Sequence, residues 1–470
     1  MDLIQKIDGS EKQKAAITSI YHRLDITSQN ARAITDRFIK EMEKGLDHDG
    51  ATGSSHKVPM IPSFITGRPT GGETGKYLAL DLGGTNLRVC EFELKGDGKY
   101  NVHQQKYVIS QELKSGNVRN LFDFVADCVD NFIFEFDSTS HENLHLGFTF
   151  SFPVNQTAID RGTLIQWTKG FSCTDAINKD VVVQLQDAFM RKNIRVNVAA
   201  LVNDTVGTLM AHAYRHPETS MGIILGTGTN AAYYEKLENI KKWRGGEQAF
   251  KEMVVNMEWG AFDLERQILP FTLYDNRLDR ESINPGKQPF EKLISGMYLG
   301  EIARNAILDL VDNRMLFSGE SSAELNRQWG FETSYMSAIV ADDTVNLEAT
   351  RYILEDSLQL PATTLVDRQI VKVISTCVGR RAARLSACGI AAILSFTNHL
   401  GKDTMVAIDG SVYEFFPNFE ANMIEALQEL LGSNISRYIQ FALARDGSGF
   451  GAAIIAMMAH KASMVKEVLR

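Results

Sequence analysis

Cysteines are few, and the usual features of membrane and nucleic-acid-binding proteins are missing from this sequence. Its 470 residues include five cysteines without a CxxC pair, which argues against a zinc site and indicates reduced thiols. No apolar run is long enough to cross a membrane, and the N-terminus lacks the apolar stretch of a signal peptide. A net charge of -9 argues against a dedicated nucleic-acid binder, which usually shows a basic face. We therefore expect a cytoplasmic protein without a membrane anchor.

The pattern that is present predicts an α/β protein of two or three domains, because apolar strands alternate with helical stretches over a long chain. A stretch rich in Pro and Gly, residues 59–75, is typical of a connector into a new domain. The predicted strands are 77–81, 87–94, 100–109, 144–150, 196–202, 221–225, 231–235, 405–408 and 438–444. The predicted helices lie within 1–45, at 122–136, 181–192, 290–311 and 370–396, and from 452 onward.

Two strand–turn–strand units carry similar glycine-rich turns. The first turn reads Gly-Gly-Thr-Asn at 83–86 and the second reads Gly-Thr-Gly-Thr-Asn at 226–230. Converging backbone N–H groups with no Cβ in the way can bind phosphate, and Asp81 at the end of the first strand could hold Mg²⁺ through water. One such turn alone indicates only a hairpin. Two of them, each directly after an apolar strand, favour a pair of phosphate loops and a duplicated unit.

Four polar residues could carry chemistry, and each also has an ordinary explanation. Asp204 follows an apolar strand and could accept a proton from a substrate hydroxyl, although an N-cap aspartate has the same local sequence. Glu258 and Glu291 could equally be solvated carboxylates. Lys169 lies among apolar neighbours, which is less usual for a surface lysine.

Several segments, taken together and in this order, resemble the eukaryotic hexokinase/glucokinase family. The resemblance runs from about residue 60 to the C-terminus, and its 26-residue segment at 146–171 is its most specific part. The segments are LALDLGGTNLRV (78–89), LGFTFSFPVNQTAIDRGTLIQWTKGF (146–171), LVNDTVGT (201–208), ILGTGTNAAY (224–233), NMEWGAF (256–262), FEKLISGMYLGE (290–301), VAIDGSVY (406–413) and DGSGFGAA (446–453).

The resemblance implies an α/β fold of the actin-like ATPase (ribonuclease H-like) type, with two domains around an active-site cleft. The large domain would comprise 1–70 and 207–445, and the small domain 71–206 and 446–470. Substrate hydroxyls would be bound by Ser151, Thr168, Lys169, Asn203, Asp204, Asn230, Glu258 and Glu291. ATP would be bound by Asp81, Gly83, Gly84, Thr85, Asn86, Arg88, Gly228, Thr229, Gly410, Ser411, Gly447 and Ser448, with Lys169 also near the phosphates.

The implied reaction is transfer of a phosphoryl group from ATP to the 6-hydroxyl of glucose, mannose or fructose, the first step of glycolysis. Asp204 and Lys169 would be catalytic, Asp81 would position Mg²⁺ through water, and sugar binding would close the domains. The open alternatives are a non-catalytic sugar sensor, a kinase for another hydroxyl compound such as N-acetylglucosamine, and an ATPase scaffold. The chain could be a monomer or a homodimer. It departs from the family at Arg445, where an acidic residue is common, and at 411–419, which lacks the usual basic residues.

Overall fold

The structure, a computed structural model, describes residues 2–5, 7–47, 58–83, 86–136, 144–167, 170–245, 251–445 and 447–468. The described strands form two large mixed sheets and one small hairpin. The strands are β1 (Ile61–Thr66), β2 (Thr74–Leu82), β3 (Asn86–Lys95), β4 (Tyr100–Val108), β5 (Leu144–Phe150), β6 (Val154–Ala158), β7 (Arg161–Leu164), β8 (Val196–Val202), β9 (Thr219–Leu225), β10 (Thr229–Lys236), β11 (Glu252–Asn256), β12 (Thr404–Asp409) and β13 (Ile439–Leu443).

The two large sheets repeat one topology. The first sheet has the order β4-β3-β2-β5-β8, and the second has the order β1-β11-β10-β9-β12-β13. In the first sheet β2 pairs antiparallel with β3 and parallel with β5; in the second, β9 pairs antiparallel with β10 and parallel with β12. The outer pairs match as well, antiparallel at β3–β4 and β10–β11 and parallel at β5–β8 and β12–β13. The duplication predicted from the two turns therefore extends to five strands, and β1 is an addition to the second sheet.

Several helices begin at recognisable caps. Thr364 and Asp367 form a capping box at the start of the longest helix, and Asn203 caps the helix that follows β8. The helices are α1 (Asp2–Gln5), α2 (Glu11–Leu24), α3 (Ser28–Leu46), α4 (Gln111–Ser115), α5 (Val118–Glu135), α6 (Val181–Arg191), α7 (Asp204–Ala213), α8 (Leu273–Glu281), α9 (Pro289–Ile294), α10 (Gly296–Asp312), α11 (Ala323–Asn326), α12 (Thr333–Ala341), α13 (Glu348–Tyr352), α14 (Leu365–Phe396), α15 (Ser411–Phe415), α16 (Phe419–Leu431), α17 (Ser433–Ser436) and α18 (Gly447–Val468). Within the described ranges, no helix is both long and apolar enough to span a bilayer.

Three apolar cores hold these layers together. The largest surrounds α14 and includes α2, α3 and α10; a second lies between the first sheet and helices α5 and α6; the third lies between the two sheets, around α7 and α18. All five cysteines, Cys90, Cys128, Cys173, Cys377 and Cys388, are buried. Burial raises the pKa of the Cys128, Cys377 and Cys388 thiols to about 12.

Helices α7 and α18 occupy equivalent places in the two repeats, after β8 and β13, and they cross in direct contact. A Cβ added to Gly451 of α18 would lie only 1.9 Å from the carbonyl oxygen of Gly207 in α7. Because the opposing atoms belong to the backbone, no side chain can move aside to make room. The two helices can therefore approach this closely only where glycine is present.

The structure differs from the sequence predictions in several places, including helices such as α8, α12 and α16 that were not predicted. Part of the predicted connector at 59–75 is strand β1, which pairs with β11. The single helix predicted at 290–311 is broken at Ser295, because the N–H groups of Gly296 and Met297 donate to carbonyls of the turn between β9 and β10. The hairpin β6–β7 and strand β11 are short and were not predicted. Helix α18 begins at Gly447, five residues before the predicted start.

Candidate active site

The residues expected to bind substrate follow the carboxyl ends of neighbouring parallel strands. In the first sheet, β2 ends beside Asp81, Ser151 follows β5, and Asn203 follows β8. The registers align these ends, with Leu82 opposite Phe150 and Thr149 opposite Val202. Ligands of open α/β sheets bind at such an edge. Ser151 is partly buried there.

The start of α7 places a carboxylate at this edge. The side chain of Asn203 accepts a hydrogen bond from the N–H of Thr205 at 2.9 Å, as an N-cap does. Oδ1 of Asp204 accepts hydrogen bonds from the N–H of Thr205 at 2.8 Å and from its hydroxyl at 3.3 Å. Among the described residues, no group donates a hydrogen bond to Oδ2 of Asp204. Asn203, not Asp204, is therefore the N-cap of α7, and capping does not account for the carboxylate of Asp204.

A network of amides and a carboxylate lies at the second turn. The side-chain amide of Asn230 donates to Asn256 Oδ1 at 2.7 Å and to Glu258 Oε1 at 3.3 Å. Asn256 donates to the same Glu258 oxygen at 2.9 Å, and Oδ1 of Asn230 accepts from the N–H of Glu258 at 3.0 Å. Asn230 and Asn256 are buried, so this constellation is fixed by the fold before any ligand binds.

Glu258 is the unusual member of this network. Its backbone adopts a left-handed conformation, with φ of 55°, which is strained for a residue that has a Cβ. Burial raises the pKa of its carboxyl, and the nearby negative charge of Asp204 raises it further, while the amide of Asn256 opposes the shift. Strain and a perturbed pKa are both common at functional sites.

Two side chains, those of Glu291 and Trp259, hydrogen-bond to Thr229 in the second turn. The carboxylate of Glu291, on α9, accepts a hydrogen bond from the N–H of Thr229 at 3.1 Å. The indole N–H of Trp259 donates to the hydroxyl of Thr229 at 2.9 Å. Glu291 was expected on the sugar side and Thr229, beside Gly228, on the phosphate side. The hydrogen bond between Glu291 and Thr229 therefore joins a residue expected to bind the sugar to one expected to bind the phosphates.

The first turn carries an ion pair instead of an amide network. The guanidinium of Arg88 lies 3.5 Å from Oδ2 of Asp81, and both side chains are mostly buried. The hydroxyl of Ser448, in the first turn of α18, donates to the same Asp81 oxygen at 3.4 Å. The N–H of Gly83 donates to the carbonyl of Asn86 at 3.1 Å and closes the base of the turn.

Two further segments lie against the second turn and beside α18. Gly410 follows β12 with φ of 129°, and a Cβ there would lie 2.3 Å from the backbone of Leu225. Only glycine therefore allows the 409–411 segment to pack on the end of β9, and it places Ser411 at the start of α15. Gly447 and Ser448 open α18. The segments expected to bind ATP thus lie at the carboxyl ends of β9, β12 and β13, in addition to the first turn after β2.

Four of the expected residues, Gly84, Thr85, Thr168 and Lys169, lie outside the described residues. Trp167, the last described residue before Thr168, donates from its indole N–H to the carbonyl of Cys173 at 2.9 Å and stacks on Phe171.

Two contributors to the site, Asn256 and Trp259, were not singled out from the sequence. Both lie in the quoted segment NMEWGAF, but their importance depends on β11, which was not predicted. The two expected departures from the family also prove to be related, because Arg445 forms an ion pair with Glu414 of the 411–419 segment.

The chain is similar to hexokinases along nearly its whole length. Two family models, both described as Hexokinase, match residues 16–214 and 220–458. The glucokinase of Aspergillus niger is 43% identical over 470 residues, which covers 92% of this chain and 94% of that protein. Hexokinase-1 of Schizosaccharomyces pombe is 40% identical over 462 residues, which covers 97% of this chain and 91% of that protein. A solved hexokinase from Schistosoma mansoni, complexed with glucose, has a TM-score of 0.84 at 36% identity and covers 97% of this chain and 99% of that one.

Proposed function

Because the chain belongs to the hexokinase family and is an ATP-dependent hexose phosphotransferase, we propose that it phosphorylates the 6-hydroxyl of glucose with Asp204 as the base. The observation that carries the proposal is the geometry of Asp204. One carboxylate oxygen is held by Thr205, and no described group donates to the other. A carboxylate fixed in this way can accept a proton from an attacking hydroxyl as phosphoryl transfer begins.

The sugar would bind between Asp204 and the amide network of the second sheet. Each hydroxyl of a hexose can donate and accept a hydrogen bond, which suits a mixture of carboxylates and amides. Sugars that lack a matching hydroxyl would leave buried polar groups unpaired and be rejected. We assign the contacts to Ser151, Thr168, Lys169, Asn203, Asp204, Asn230, Glu258 and Glu291, and we expect glucose and mannose to be preferred, with fructose tolerated.

ATP would bind across the two turns, with Arg88 and Thr229 near its phosphates and Gly410, Ser411, Gly447 and Ser448 near its adenosine. In the part of the chain that the structure describes, no three His, Cys, Asp or Glu side chains come together as metal ligands. The oxygens of Asp81 and Ser448 nevertheless suit Mg²⁺ that arrives with the phosphates, because this ion commonly binds through one carboxylate and the nucleotide. When bound, Mg²⁺ would neutralise charge on the phosphates.

The domain boundaries follow the two sheets in this proposal. Residues 1–70 and 207–445 would form the large domain around the second sheet, and 71–206 and 446–470 the small domain around the first. Helices α7 and α18 lie where the chain passes between them. Closure on the sugar would expel water that could otherwise attack ATP.

The test is the substitution Asp204→Asn, with Asp180→Asn as the matched control. Asp180 caps α6, a helix that packs against the same sheet as α7, and accepts hydrogen bonds from the N–H groups of Val182 and Val183. Asparagine at position 180 keeps an N-cap on α6, and α7 is capped by Asn203 rather than by Asp204, so neither change should unfold the protein. Loss of the base should lower kcat about 10²- to 10⁴-fold in the Asp204 variant alone. ATP-dependent formation of hexose 6-phosphate is measured with glucose, mannose, fructose and N-acetylglucosamine, and glucose binding by calorimetry.

Two outcomes would change the proposal. If Asp204→Asn keeps the kcat of the wild type, Asp204 is not the base. If the wild-type protein binds glucose but phosphorylates none of the four sugars, the non-catalytic sensor becomes the better description of this chain.

A further inference from the structure

One ion pair ties the segment after β12 to the segment that leads into α18. Nε and Nη2 of Arg445 both donate to Oε1 of Glu414, at 2.9 and 2.5 Å. Glu414 belongs to α15, which begins at Ser411, and Arg445 lies two residues before the start of α18 at Gly447. The pair therefore joins the two segments that we assign to the adenosine side of the nucleotide.

The contacts around this pair reach both sheets. The N–H of Ala444, next to Arg445, donates to the carbonyl of Ile408 at 2.8 Å and fixes the end of β13 against β12. On the other side, Ser448 donates to Asp81 of the first sheet. Glu414 is mostly buried, with 20% of its side chain exposed, whereas Arg445 is 71% exposed and reaches over to it. The residues on either side, Ala444 and Ser448, are thus anchored to the second and the first sheet respectively.

We propose that Glu414 and Arg445 are a positioning pair that sets the spacing between the starts of α15 and α18 and thereby the affinity for ATP. The inference rests on the proposed nucleotide site. It predicts a change in ATP affinity for Glu414→Gln that is opposite in sign to the change expected from electrostatic repulsion alone. A carboxylate near a polyanion repels it, so removing the charge of Glu414 would improve ATP binding if charge alone mattered. If the pair positions the two segments, the same change weakens ATP binding.

The experiment compares Glu414→Gln, Arg445→Gln, Arg445→Glu and the charge-swapped double variant E414R/R445E with the wild type. The KM for ATP and kcat are measured at saturating glucose, and the KM for glucose is measured in parallel. We expect each single change to raise the KM for ATP about two- to fivefold, the range for an exposed ion pair, with kcat and the KM for glucose within about twofold. The charge swap should restore the KM for ATP to within about twofold of the wild type.

Arg351→Gln is the control, because Arg351 forms a comparable exposed ion pair with Glu348 on α13. It should leave the KM for ATP unchanged. The inference is overturned if Glu414→Gln lowers or does not change the KM for ATP, or if the charge swap is no better than Arg445→Glu alone. A wild type with no hexose phosphorylation would instead overturn the proposed function, and a normal kcat in Asp204→Asn would overturn only the base.

Discussion

The first and second sheets share five strands in the same order and directions, yet they build unlike halves of the site. At the second turn, buried amides and carboxylates hold one another in a network around Asn230 and Glu258. At the first turn, the mostly buried ion pair of Asp81 and Arg88 presents opposite charges beside Ser448. A repeated topology therefore does not repeat a chemistry, because the chemistry depends on the few residues that follow each strand.

The sheets also differ in how deeply they are embedded. Strands β9 and β10 are buried along almost their whole length, whereas β4, at the edge of the first sheet, is mostly exposed. The second sheet also has the extra strand β1 and packs against the largest apolar core. The amide network that we assign to hexose hydroxyls thus lies at the more deeply buried turn. A site that must distinguish hydroxyl patterns benefits from groups held in place before binding.

The largest effect on stability that we predict concerns the point where the repeats meet. Gly451→Ala would place a Cβ 1.9 Å from the Gly207 carbonyl oxygen, and α7 and α18 would have to separate. We expect the free energy of unfolding to fall by about 3 kcal/mol, at the upper end for an overpacked core. Urea unfolding measures the change.

Gly449→Ala is the control for this substitution, since it lies on the same helix and a Cβ there would meet no atom within 4 Å. It should be neutral or stabilise the protein by up to about 1 kcal/mol, because alanine favours a helix over glycine. Equal effects at the two positions would show that the crossing is not the constraint.

The next prediction concerns the KM values for the two substrates, which should respond differently to substitutions at the two turns. Asn230→Ala removes hydrogen bonds from the Glu258 network and should raise the KM for hexose about 10- to 100-fold, with a small change in the KM for ATP. Arg88→Ala should do the reverse and raise the KM for ATP about tenfold. Steady-state kinetics with each substrate varied in turn measures both. If each variant raises both KM values equally, the assignment of Asn230 to the sugar and of Arg88 to the phosphates is wrong.

The smallest effect is on the pH dependence of stability. Burial, together with the nearby His460, lowers the pKa of His145 to about 4; burial, together with His216, lowers that of His212 to about 4, although Glu218 opposes the shift. An unfolded histidine takes up a proton near pH 6.5, so between pH 6.5 and 4 the unfolded chain binds more protons. Stability should therefore fall as the pH falls through this window.

The variant His145→Gln removes one of these groups and should reduce the loss of thermal stability between pH 7 and pH 5. His103→Gln, on the exposed strand β4, is the control and should leave that loss unchanged. Because both histidine rings are only half-buried, solvent screening keeps the effect small. An identical pH dependence in wild type and His145→Gln would contradict the assignment.

Much of the fold could be predicted from local patterns, since apolar strands followed by glycine turns are unambiguous. β5 and β8 have the predicted bounds, and an N-cap does follow β8, although Asn203 and not Asp204 supplies it. The two-sheet α/β fold is confirmed as well, through the match to solved hexokinases. What could not be predicted depends on contacts between distant segments. The break at Ser295 exists because the second turn accepts hydrogen bonds from α10, and Asn256 matters only because β11 places it beside Asn230.

The five buried cysteines give the protein its own reporters of local opening. Cys90, Cys128 and Cys173 accompany the first sheet, whereas Cys377 and Cys388 lie in α14, within the core of the second. A buried thiol with a raised pKa reacts slowly with alkylating reagents until its surroundings open. The order in which the five sites are alkylated, read by mass spectrometry, would therefore rank the opening of the two halves without any engineered label.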